Sequence, residues 1–427
     1  MITHPVLTRH IAAGIRMGLD RVTRLLRELG DPHLAVPVVH IGGTNGKGSV
    51  ASLVASGLRA QGLKVGLTLS PHLRSVNERI RVDGVDISDD DLAALLVELD
   101  QVSTAWARAH LTDMGDGAPP LTYFELMIVA AFVWFVRQRV DVAVVEVGLG
   151  GRLDATNVVR PEVCAITTVD LDHCDRLGPD IPSVAAEKAG IFKAGVPVVI
   201  GRVSRDALRV LRPMAADRGC PMQVLGEDFT GEGTPRSFTW RGPGRALAGL
   251  SVGLDGAHQV DNAAVAVAVL EALGARKPDL RVGEAALRQG LQDVLHPGRC
   301  QWLASDLLVD GAHNTSGAER LAAYLRELPR DRRRTLVFGV SEDKEIRSIA
   351  AALAPEVDRI LTTSCGHPRS MSPGKVAEAL VGLDVPVMPA GPIEQALPLA
   401  RGGEGLTVVA GSLYLVGAVL DLHPQAS

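Results

Sequence analysis

The sequence predicts an α/β fold in two domains, each built on a mainly parallel sheet. From residue 36 onward, short continuous apolar runs rich in β-branched residues alternate with longer helical stretches, as strands covered on both faces require. The rhythm breaks at a Pro-Gly turn, Leu295-His296-Pro297-Gly298-Arg299, and then restarts. A chain of 427 residues also exceeds the ~250–300 at which single cores stop growing.

Taken in order, residues 36–41, 64–69, 141–147, 163–169 and 196–200 read as buried strands because their apolar positions are continuous rather than alternating. Residues 49–60 and 121–140 read as helices. The second is apolar enough to suggest a membrane span, but Glu125, Arg137 and Arg139 make it a buried helix instead. Gly, Pro and Thr punctuate residues 223–254, where short alternating runs such as Ser237-Phe238-Thr239-Trp240 predict antiparallel strands. An Ala/Val-rich helix covers 257–273. Past the Pro-Gly turn, strands are expected near 307–310, 335–340, 359–363 and 406–410, which puts the boundary at 296/297. No internal repeat or low-complexity segment is present.

Composition narrows the class. With 46% hydrophobic and 22% charged residues the chain is globular, and a net charge of −5 offers no field for nucleic acid or anionic lipid. The five cysteines, Cys164, Cys174, Cys220, Cys300 and Cys365, are odd in number and form no C-x-x-C pair, which argues against a disulfide framework and for a reducing cytoplasm. The first twenty residues lack the unbroken apolar core of a signal peptide. A monomer is expected.

Directly after the first strand runs His40-Ile41-Gly42-Gly43-Thr44-Asn45-Gly46-Lys47-Gly48-Ser49, followed by a helix. Strand, glycine loop and helix form the setting of a nucleotide phosphate site, where backbone N–H groups and the helix N-terminus face the anion. Asn45, Gly46 and Gly48 shape the cradle, Lys47 supplies a charge for the β- and γ-phosphates, and Ser49 offers a hydroxyl to Mg²⁺. The spacing is a variant of the general loop: Ile41 stands where Gly is usual, and Gly48 intervenes before Ser49.

That variant is similar to the ATP loop of the Mur ligase superfamily, and of its folylpolyglutamate synthase branch in particular. Further motifs resemble that branch in its own order: Met17-Gly-Leu-Asp-Arg21, Ser70-Pro-His-Leu73, Asn77-Glu-Arg-Ile80, Thr122-Tyr-Phe-Glu125, Glu146 through Asn157, Asp172-His173, Glu187-Lys-Ala-Gly-Ile191, Pro297-Gly-Arg299, Asp310-Gly-Ala-His-Asn314 and Gly411-Ser-Leu-Tyr-Leu-Val416. Two departures are Thr315, where Pro commonly follows the Asp-Gly-Ala-His-Asn motif, and Cys174 after Asp172-His173. The resemblance implies a P-loop ATPase and folate-binding domain over residues 1–296 and a smaller Rossmann-like glutamate-ligase domain over 297–427.

It also implies roles. ATP would be contacted by the loop and by Asn262, Arg299 and Asp310, the last two across a hinge. Two Mg²⁺ ions would be held by Ser49, Ser70, Glu146, His173 and a carbamylated Lys188. Read alone, His173 is a core histidine and Lys188 a surface cation, whereas Glu146 at the end of an apolar strand requires a cation or donors in any reading. Dihydropteroate would meet Ile15, Arg16, Met17, Thr122, Tyr123, Phe124, Glu125, Leu153, Asp154 and Ala155. Thr122 with Glu125 is equally a capping box. His313 and Ser412 would place L-glutamate, and with Lys47 and Lys188, His313 belongs to the expected catalytic set. The implied reaction joins L-glutamate to dihydropteroate and to folates through an acyl phosphate. Rivals are a peptidoglycan Mur ligase, for which too little chain precedes the loop, a synthase acting on folates alone, and a non-catalytic nucleotide-binding protein.

Overall fold

The computed structural model describes residues 4–14, 16–110, 120–342, 345–403 and 405–423. The chain divides into two compact units, residues 1–252 with 260–294, and residues 253–259 with 295–427.

In the first unit the strands are β1 (Val38–Gly42), β2 (Val65–Thr68), β3 (Arg81–Val82), β4 (Val85–Asp86), β5 (Val142–Glu146), β6 (Val163–Ile166), β7 (Val198–Ile200) and β8 (Met222–Val224). They form one sheet in the order β4-β3-β2-β5-β1-β6-β7-β8, parallel from β2 to β8, with β3, near one edge, antiparallel to both β2 and β4. Strands β9 (Thr230–Thr234), β10 (Ser237–Gly242) and β11 (Arg245–Leu250) make a separate antiparallel sheet. The expectation of antiparallel strands over 223–254 therefore holds for the hairpins only. Its first strand, β8, pairs in parallel with β7 because Val224 and its neighbours extend the buried sheet.

The helices of this unit are α1 (Pro5–Ile11), α2 (Asp20–Glu28), α3 (Lys47–Ala60), α4 (Asp89–His110), α5 (Tyr123–Arg137), α6 (Cys174–Leu177), α7 (Ile181–Ala189), α8 (Arg205–Asp217), α9 (His258–Arg276, whose first two residues fall in the second unit) and α10 (Glu284–Gln292). One core cluster gathers α4, α5 and the apolar side chains of β1 and β5 around Trp106, Phe132 and Phe135. Another joins β6 and β7 to α7 and α8. The phosphate-loop helix α3 meets α10 with no side chain between them: a Cβ on Gly290 would stand 2.5 Å from the Gly57 Cα.

The second unit holds β12 (Gln301–Ala304), β13 (Leu307–Val309), β14 (Arg334–Phe338), β15 (Arg359–Ser364), β16 (Val387–Pro392) and β17 (Leu406–Ala410), in the order β12-β13-β17-β14-β15-β16. All but β12 run parallel. Helices α11 (Thr315–Glu327), α12 (Ile346–Leu353), α13 (Pro373–Ala379), α14 (Ile393–Arg401) and α15 (Leu413–Leu422) complete it over its own core. Strands β12 and β16 were not expected from the sequence. Both lie at sheet edges, where Pro389, Gly391 and Pro392 are tolerated because one side of the strand needs no ladder partner. Among the described residues no helix is long and apolar enough to cross a membrane.

Candidate active site

The expected strand over 163–169 ends early, at Ile166. Thr167, Thr168 and Asp170 leave the ladder and brace the phosphate loop instead. The Thr168 carbonyl accepts from the Thr44 N–H at 2.9 Å, the Thr168 hydroxyl from the Asn45 N–H at 3.0 Å, and the Asn45 carbonyl from the Thr167 hydroxyl at 2.6 Å. Asp170 answers with its N–H to the Thr44 hydroxyl at 3.0 Å and its carboxylate to the Asn45 amide at 3.4 Å. Polar residues just beyond a buried parallel strand were the available signal, since open α/β sheets bind ligands at that edge.

Two glycines are sterically required here. Gly43 has φ +144° and a Cβ on it would fall 2.0 Å from the Thr167 hydroxyl oxygen; Gly46, the N-cap of α3, has φ +82° and would meet the Asn262 Oδ1 at 2.6 Å. The same approach brings Asn262 to the loop. Lys47 opens α3 and donates to the Thr44 carbonyl at 3.1 Å, while Gly48 and Ser49 are buried in its first turn.

Lys188 is not a surface cation. It is 2% exposed on α7, and its ammonium donates to the Gly43 carbonyl at 2.8 Å. Burial, reinforced by repulsion from Lys47, lowers its pKa to about 7 against the pull of Asp172, Asp170 and Asp154. Glu146 ends β5 with its carboxylate buried, and its Oε2 accepts from the Ser70 N–H at 2.7 Å, so these two expected residues are neighbours. His173 is half-buried rather than a core residue; it caps α6 with φ +51°, its N–H donating to Asp172 at 2.9 Å. Among the described residues no three His, Cys, Asp or Glu side chains converge into a preformed metal cage. The oxygen donors, the Glu146 carboxylate and the serine hydroxyls, suit a hard cation that keeps phosphate oxygens as ligands, for which the His173 imidazole is an unusual partner.

On the other flank, Thr122 and Glu125 form a complete capping box at the start of α5, with the Thr122 N–H to Glu125 at 2.7 Å and the Glu125 N–H to the Thr122 hydroxyl at 3.3 Å. Glu125 also holds Arg21 at 2.8 Å, and Arg21 donates to the Arg16 carbonyl. The side chains of Arg16 and Met17 are exposed, and Ile15 lies outside the described residues. Tyr123 is half-buried, and the Phe124 ring lies where a Gly148 Cβ would stand, 2.4 Å from its Cζ. Asp154 is engaged internally, accepting from the Leu149 N–H at 2.8 Å, the Thr156 N–H at 3.0 Å and the Thr156 hydroxyl at 2.5 Å. Burial raises its pKa despite these bonds. It thereby shapes the loop that carries half-buried Leu153 and buried Ala155.

In the second unit Asp310 follows β13 and accepts from the N–H groups of Cys300 and Ala312, each at 2.8 Å. Burial raises its pKa, with the Arg299 charge opposing. Arg299 is half-buried and reaches His296. His313 donates from Nδ1 to the Gly311 carbonyl at 2.8 Å. A hydrogen bond from Gly411 to the Ala312 carbonyl joins the loops after β13 and β17, which brings Ser412, the N-cap of α15, to the edge that carries Asp310 and His313.

Residues 298–413 match the family model described as Mur ligase, glutamate ligase domain. The chain is 33% identical over 365 residues to the dihydrofolate synthase/folylpolyglutamate synthase of Bacillus subtilis, covering 84% of this chain and 83% of that one. Among solved structures, Mycobacterium tuberculosis folylpolyglutamate synthase complexed with ADP and AMPPCP superposes with a TM-score of 0.89 at 32% identity, over 96% of each chain. A bifunctional folylpolyglutamate synthase/dihydrofolate synthase with Mn, AMPPNP and L-glutamate bound superposes with a TM-score of 0.83 at 32% identity, over 96% of this chain and 94% of that one.

Proposed function

The chain belongs to the folylpolyglutamate synthase/dihydrofolate synthase family, and from that membership we propose that it uses ATP to join L-glutamate to dihydropteroate and to folates. The carrying observation is the braced loop: Gly43 and Gly46 in conformations only glycine holds easily, with Lys47, Ser49 and Asn262 gathered at it.

In this reading a substrate carboxylate oxygen attacks the γ-phosphorus of ATP, the bond to ADP breaks, and an acyl phosphate forms. The amine of L-glutamate then attacks the acyl carbon and expels phosphate. Lys47 and the loop N–H groups hold the transferred charge in place. Ser49, Ser70 and Glu146 would hold one Mg²⁺ ion and His173 with Lys188 a second, and the ions would supply charge neutralisation for the transferring phosphoryl group. We assign Lys188 as carbamylated: its amine, largely neutral above pH 7, attacks CO₂ and sheds a proton, gaining the carboxylate a second ion needs. Arg299 and Asp310 are proposed nucleotide contacts, and His313 and Ser412 glutamate contacts. Residues 1–296 and 297–427 are the proposed functional domains of a cytoplasmic monomer, a setting that the five free cysteines fit.

The test is phosphate release from ATP in Mg²⁺ buffer with L-glutamate and either dihydropteroate, tetrahydrofolate or no acid, with mass detection of products. Glutamyl products from both acids support the bifunctional reading, and product from tetrahydrofolate alone restricts it to folates. ATP binding without acid-dependent turnover would overturn it.

A further inference from the structure

Arg79 is a buried cation. It is 7% exposed; its Nε donates to the His72 Nδ1 at 2.9 Å, and its guanidinium carbon lies 5.2 Å from the centre of the Tyr123 ring. Among the described residues no carboxylate pairs with it. Other arginines of this unit differ: Arg81 is paired with Asp86 at 2.6 Å, and Arg21 with Glu125 at 2.8 Å. The adjacent acid cannot serve, because Glu78 is already taken by the N–H groups of Leu73, Arg74 and Ser75, each at 2.8 Å. A guanidinium largely withdrawn from water without a counter-ion is costly, and an incoming anion would relieve that cost. Among the described residues its Nη groups make no hydrogen bond, which leaves them for a ligand.

Position selects which anion. The segment carrying Arg79 leaves the carboxyl end of β2, and its first residue, Ser70, bonds Glu146 at the end of β5. The phosphate loop follows β1, on the far side of β5 from β2, and is braced by residues beyond β6. Glu146 thus stands between the nucleotide side and the side occupied by Arg79 and Tyr123. The turn that aims Arg79 is fixed by a Ser75/Glu78 capping box and by Asn77, whose amide donates to the Ile87 carbonyl at 2.8 Å and to Asp89 at 2.9 Å.

We propose that Arg79 receives the carboxylate of the acid substrate, its forked N–H groups fixing both oxygens so that one faces the γ-phosphate. The inference rests on the ligase reading. Arg79 forms no covalent bond: the carboxylate oxygen gains phosphorus, ADP departs, and the guanidinium keeps hold of the acyl oxygen.

The experiment compares the wild-type chain with Arg79→Gln and Arg79→Lys. The Gln variant should raise the KM for dihydropteroate by about 10- to 100-fold and leave the KM for ATP within about twofold, with Lys intermediate because it keeps charge without the fork. In direct binding, wild type should prefer dihydropteroate over its neutral carboxamide, and the Gln variant should lose that preference. A variant that keeps the preference, or whose ATP and acid constants worsen together, overturns the role of Arg79. If wild type makes no glutamyl product, the ligase reading fails, while the acid-against-amide comparison still decides whether Arg79 recognises a carboxylate.

Discussion

At the scale of single residues, the phosphate loop leaves almost no freedom at Gly43. Alanine there must adopt φ +144° and place its Cβ inside the Thr167 hydroxyl, so one of the two segments has to move. Gly43→Ala should raise the KM for ATP by at least about tenfold, equivalent to about 1.4 kcal/mol and within the range of backbone strain at one residue; an unchanged KM would show that the loop geometry is dispensable. Lys188 gives a prediction with a sign. Its folded pKa of about 7 lies below the ordinary 10.5, so the folded chain sheds this proton near pH 7 and the unfolded chain near 10.5. The burial cost, roughly 5 kcal/mol, is therefore full below pH 7 and shrinks as pH rises. In CO₂-free buffer, the stability of wild type relative to Lys188→Met should climb between pH 7 and 10. A flat difference in denaturant midpoints would refute the buried-amine account. With labelled CO₂ supplied, a carbamate carbon signal by NMR should appear in wild type and be absent from the Met variant.

At the scale of elements, the helices that frame the site depend on two local devices. The capping box that starts α5 satisfies two backbone N–H groups with Thr122 and Glu125. Thr122→Ala should cost about 1 kcal/mol, seen as a lower melting temperature; a loss confined to the KM for dihydropteroate would instead favour direct substrate contact. The second device is the contact of α3 with α10 at Gly57 and Gly290. Gly290→Val forces a side chain into a gap that does not hold even a Cβ. The expected cost is about 1–3 kcal/mol, with weaker ATP binding because α3 carries Lys47 and Ser49. Unaltered melting and nucleotide affinity would show that the helices separate freely.

At the scale of the whole molecule, each unit owns its sheets and its apolar core, the first with clusters around Phe132 and Phe135 and around Ile166 and Leu211, the second with residues such as Leu321, Leu336 and Phe338. Calorimetry of the full chain should resolve two transitions, and ADP should raise at least one of them by mass action. A single transition with equal calorimetric and van't Hoff enthalpies would show that the two cores unfold as one.

The α/β class, the place and sense of the central parallel strands, and the phosphate loop were legible in the order of residues alone. These follow from continuous apolar runs and from glycines in a strand-loop-helix setting, both local properties. Tertiary structure decided the rest. Edge strands β12 and β16 carry weak apolar patterns because one side faces no neighbour. The burial of Lys188 against Gly43, the bracing of the loop by Thr167, Thr168 and Asp170, the internal saturation of Asp154 and the setting of Arg79 between His72 and Tyr123 depend on groups far apart in the chain. Whether a polar side chain is solvated, spent on the fold or left for a ligand is set by what the folded chain places beside it, and no spacing along the sequence records that.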